Sequence, residues 1–227
     1  MKRGEQVLVF QIILLILILF LQIGCGVTFQ LGRFKNKLEQ GNFEWFPKQE
    51  ISCNVSDEGC NQLHLIKGDA CYRLAKQDIE PKRHFECASE HLDMGIKMTR
   101  QWQLEKISIN RAQAYENLCE SLRELQFKET GVKSEKYTDK LLQCAQDFKA
   151  AEPQHIAPKF FLYNAKFVKL TPCFNHPEQC RALCIDIKTI ITDIEGGMPK
   201  ADGTRYEPNY KELYKKFKQE QALAACP

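Results

Sequence analysis

Residues 61–76 read NQLHLIKGDACYRLAK, and residues 84–97 read HFECASEHLDMGIK. Leu63, Ile66, Ala70 and Leu74 recur every three or four residues in the first stretch, as do Phe85, Ala88, Leu92 and Ile96 in the second. That spacing gathers side chains on one face of an α-helix. Pro81 lies between the stretches and marks a turn. The reading is a pair of amphipathic helices folded back on each other, whose apolar stripes need a neighbouring layer to cover them.

The pattern repeats outward. Residues 111–125, RAQAYENLCESLREL, place Tyr115, Leu118, Leu122 and Leu125 on one face, and residues 136–148, KYTDKLLQCAQDF, do so with Tyr137, Leu141, Ala145 and Phe148. Gly131 and Ser134 supply a break and an N-cap between them. In a third pair Pro158 and Pro177 stand at first-turn positions, where the missing N–H does no harm, and Gly196 and Gly197 end the second helix. After the turn-rich residues 196–209, Tyr210, Leu213, Phe217 and Leu223 mark a closing helix. No convincing alternation of the β-strand type occurs, so the class is all-α. Lys67 and Glu120 read as exposed charges on first helices.

In KGDACYRLA and NLCESLREL the first helices carry a small residue, Gly68 and Cys119, where a partner helix would touch. Ala88, Leu92 and Ile96 give the second helix a small-then-large pattern, and Pro153 in AAEP closes the second unit. In these features the chain resembles the tetratricopeptide-repeat family. The resemblance implies antiparallel helix pairs stacked as a right-handed array, with a concave surface that binds other proteins. Gly68 and Cys119 are 51 residues apart, against a standard period of about 34, and the family's signature tryptophan is missing. A plain disulfide-stapled helical bundle is the alternative.

Lys2 and Arg3 precede an apolar run from Val7 to Leu21, the order of a secretory signal. The segment QIGC, residues 22–25, resembles a bacterial lipobox, which implies lipidation of Cys25 and removal of residues 1–24. Gln22 departs from the aliphatic residue usual at that position. A cut after Gly26 would instead release a soluble secreted protein, and an uncleaved leader would act as a signal anchor. Residues 25–57, with Gly32, Gly41 and Pro47, read as an irregular tether and N-terminal loop closed by Cys53 and Cys60. Residues 58–227 form the helical-repeat domain and its C-terminal capping helix.

Of eleven cysteines, the even set behind Cys25 is Cys53, Cys60, Cys71, Cys87, Cys119, Cys144, Cys173, Cys180, Cys184 and Cys226. Behind an export signal they read as disulfides. Cys71 and Cys119 fall on first helices and Cys87 and Cys144 on second ones, as though each hairpin were pinned to itself, although the set allows on the order of a thousand pairings. Cys173, His176, Cys180 and Cys184 could make a three-thiolate zinc set, but oxidation is expected there and no metal. His64, His84, His91 and His155 read as isolated, with His91 a flanking or core position.

A formal net charge of +3 without a basic stripe argues against nucleic acid. No G-x-S-x-G elbow or Cys-x-x-Cys pair occurs, so neither an enzyme nor a cofactor is expected. Asn54 opens a glycosylation sequon, which matters only in a eukaryote, whereas the leader points to a bacterium. The expectation is an accessory or assembly lipoprotein on the extracytoplasmic side of the cell envelope, in the periplasm or outer membrane if Gram-negative. It would contact the membrane through its N-terminus and bind another envelope protein. The alternative is a secreted carrier holding a small ligand between its helices.

Overall fold

The computed structural model describes residues 26–77, 81–102, 108–174 and 184–223, with only the backbone for 171–174. The described elements are α1 (residues 26–39), a 3-10 turn (Phe43–Lys48), α2 (Cys60–Ala75), α3 (Lys82–Met98), α4 (Arg111–Lys128), α5 (Gly131–Ala151), α6 (Ala157–Phe174), α7 (Cys184–Ala201) and α8 (Glu207–Leu223). There is no strand among the described residues. The class is all-α, and helices adjacent in sequence pack as neighbouring pairs. α2 also touches α4, α4 touches α6, and α6 touches α8. The first helices thus form one row, with α3 and α5 alternating against it.

α2 is buried on nearly every side because α1 and the 3-10 turn, α3 and α4 all pack against it. Leu63, Ile66 and Ala70, the face legible in the sequence, meet Val27 and Phe34 of α1 and Phe46 of the 3-10 turn. The face toward α3 is instead Leu65 and Gly68. A Cβ on Gly68 would stand 2.6 Å from Leu92 Cγ and 2.8 Å from its backbone nitrogen, and one on Gly95 would stand 2.7 Å from Leu65 Cγ. Each glycine receives the other helix's leucine, so the two axes approach more closely than any larger residue would allow. A continuous core then runs from Leu65 through Leu118, Leu141 and Phe161 to Phe217.

Between described residues, three disulfides staple the array: Cys53–Cys60 at the start of α2, Cys71–Cys87 between α2 and α3, and Cys119–Cys144 between α4 and α5, with Cα separations of 5.8, 6.0 and 5.8 Å. These separations lie within the ordinary range for a bridge. Cys184 is also disulfide-bonded. The chain closes on itself through α8. Tyr206 Oη and the Arg205 guanidinium both donate to Glu116, buried on α4, and Tyr210 Oη donates to the Ile156 carbonyl at 3.1 Å.

Four local expectations are corrected. The tether is folded: Val27, Leu31, Phe34 and Leu38 form a helical stripe, and Phe34 and Phe46 pack edge to face at 5.4 Å. Ser134 is inside α5, where its hydroxyl donates to the Gln126 carbonyl, and α5 starts at Gly131 with φ +57°. Gly196 and Gly197 do not end α7. A Cβ on Gly197 would stand 3.0 Å from the Tyr210 ring, so this glycine admits α8, and the turn comes at Gly203 with φ +69°. Lys67 is 7% exposed and donates to the Gln49 carbonyl, while Glu120 is held by Arg123 through two 2.8 Å bonds. The expected start at Pro177 lies outside the described residues.

Candidate functional site

α3 and α5 stand on either side of α4 and leave a groove of about 660 Å³ between them. The helical period that buries Leu92 on the inner face of α3 puts Glu86, Glu90 and Asp93 along its outer edge. On α5 the same period buries Leu141 and Phe148 and leaves Tyr137, Lys140 and Asp147 on the opposite wall. The floor is Leu118, Leu122 and Tyr115 of α4, with Ile96 beside them. Leu118, placed by the sequence on the apolar face of its helix, is 5% exposed. Met94, 39% exposed, forms an apolar lip.

The charge of the groove is unbalanced. Glu86, Glu90, Asp93 and Asp147 face Lys97 and Lys140, and Lys97 is bound by Asp93 at 2.7 Å on its own helix. The two phenols register the excess. Burial, then Asp147, pushes the Tyr115 hydroxyl above its ordinary value, and burial, then Glu86 and Glu129, does the same to Tyr137. The lining offers little to nucleophilic chemistry, because Ser89 donates to the Glu86 carbonyl and Cys144 is in a bridge. What the arrangement can do is hold an apolar body between walls that favour positive charge.

The residues singled out in the sequence are placed unevenly. Cys25, His176, Cys180 and Cys226 lie outside the described residues, as does the side chain of Cys173. Cys184 has its sulfur in a disulfide rather than a thiolate. Histidines read as isolated are not all so: His64 and His91 bring their Nδ1 atoms to 2.9 Å across the α2–α3 contact, and His155 Nδ1 accepts from the Ala157 N–H at the start of α6. The sequence reading named the apolar floor residues as helix faces but did not single out the carboxylates of the groove walls. A signal existed in Glu86, Glu90 and Asp93 at helical spacing, but such a stripe reads equally as a solvated face. No described helix is long and apolar enough to cross a membrane. No protein family, curated protein or solved structure matches this chain.

Proposed function

We propose that this chain is an exported, lipid-anchored adaptor of the cell envelope whose work is binding rather than catalysis. It would take an amphipathic helical segment of a partner protein into the α3–α5 groove, and its helix pairs would stack as in tetratricopeptide repeats. The observation that carries the reading is the groove itself, with its apolar floor and its excess of carboxylates. A helix laid there would bury its apolar face on Met94, Tyr115 and Tyr137, above the floor of Leu118, Leu122 and Ile96, and place lysines or arginines against Glu86, Glu90 and Asp147. The row formed by α2, α4 and α6 supports the stacking part of the proposal.

The test uses two synthetic amphipathic peptides, one basic and one acidic, titrated against the full chain by fluorescence anisotropy. The basic peptide should bind and the acidic one should not. Glu86→Lys combined with Asp147→Lys should weaken the basic peptide by about tenfold or more through like-charge contact. The same pair should move stability by only about 0–1 kcal/mol, because both sites are on the surface. Equal binding of the two peptides, or unchanged binding by the double variant, would refute the groove as a docking site. A small apolar molecule co-purifying there and blocking both peptides would favour the carrier instead.

A further inference from the structure

The Cys53–Cys60 bridge lies against His64, which no part of the groove uses and which is itself in contact with His91. The ligand atoms of Cys53, Cys60 and His64 are all within 4.8 Å of one another. Cys60 and His64 are four residues apart on α2, hence one above the other on the same face. His91 arrives from α3 with its Nδ1 at 2.9 Å from that of His64. The two helices that supply these rings are fixed by the Gly68 and Gly95 contacts and by the Cys71–Cys87 bridge.

We propose that Cys53, Cys60, His64 and His91 form a redox-gated site for a divalent metal of the zinc type, closed while the bridge is intact and opened by a dithiol reductant. Two thiolates and two imidazoles are a set that tetrahedral zinc accepts, and its donor atoms stand about 3.3–3.8 Å apart. Reaching that arrangement requires the sulfurs to part and the His91 ring to turn from His64 toward them. The two thiolates more than offset the positive charge of Lys67.

The exchange balances. The dithiol passes two electrons to the bridge, its own sulfurs join as a disulfide, and its two protons pass to Cys53 and Cys60. Metal binding then displaces those protons. In an oxidising compartment the closed form is the resting one.

Cobalt titration tests this, because a thiolate bound to cobalt gives a charge-transfer band. The full wild-type chain should show no such band before dithiothreitol and a single bound equivalent after it. Global reduction can also open the other bridges, so Cys53→Ala provides a second route. It leaves three ligands, needs no reductant, and keeps Cys71–Cys87 and Cys119–Cys144, with helicity checked by circular dichroism. It should bind a single equivalent, and adding His64→Gln or His91→Gln should weaken binding by about tenfold or more. No cobalt on Cys53→Ala, no loss with either histidine change, or equal binding by the unreduced wild type would overturn the proposal.

Discussion

Among the described glycines, Gly68 has the tightest surroundings. A methyl group there would lie 2.8 Å from the Leu92 backbone nitrogen, and a helix backbone cannot move aside as the tip of a side chain can. Gly68→Ala should therefore cost about 1–3 kcal/mol, despite the gain of about 1 kcal/mol in helix propensity, measured as a lower urea midpoint. Glu120 sets a pH dependence. Burial opposes its ionisation, but the Arg123 hydrogen bonds and charge outweigh burial and hold its carboxyl below 4.5. The stability it contributes is complete above that value and is lost as the pH falls through the lower folded one. Urea midpoints taken from pH 6 down to pH 2 should show that loss, and Arg123→Met should flatten it. Gly68 was legible as a contact position because a glycine in mid-helix needs a packing reason. Gly95 and the His64–His91 contact were not, because each depends on how far one helix is rotated against another, which spacing within either helix does not encode.

Among the elements, the cysteines were informative because each reading tied a bond to a hairpin. Cys71–Cys87 spans 16 residues, and removing it with Cys71→Ser and Cys87→Ser should cost about 3 kcal/mol in the chain-entropy model. Urea unfolding without reductant measures that loss. Helix existence was also legible, since Leu118, Leu122, Leu141 and Phe148 repeat at helical spacing and are buried as that spacing demands. The roles of the faces were harder. Leu63, Ile66 and Ala70 read as the apolar stripe of α2 without a named neighbour, and they meet α1 and the 3-10 turn, because α2 has apolar residues on two sides and a single stripe describes only one. α1 was hidden by Gly32, Gly41 and Pro47. Gly32 lies in open space, and Gly41 and Pro47 come after the helix has ended, so none of them breaks it.

Across the whole molecule, the proposal of lipid anchoring makes a direct prediction. Cys25→Ser should move the protein from the membrane fraction to the soluble fraction or to an uncleaved precursor, with helicity unchanged, and mass spectrometry of the mature N-terminus would identify the form. Cleavage after Gly26 in the wild type would refute lipidation. The groove was not legible at this scale. It is a space between α3 and α5 set by how both pack on α4, and no single segment carries it. The folded α1 changes what an anchor there would mean. An unstructured spacer of about 30 residues would let its cargo roam roughly 30 Å from the bilayer, sampling partners on all sides. Here residue 26 is already helical and Val27 is 7% exposed, so a lipid on Cys25 would leave a leash of about one residue, some 3.5 Å. The body would ride on the membrane as a rigid mount, its groove kept at one height, and it would search for partners in two dimensions.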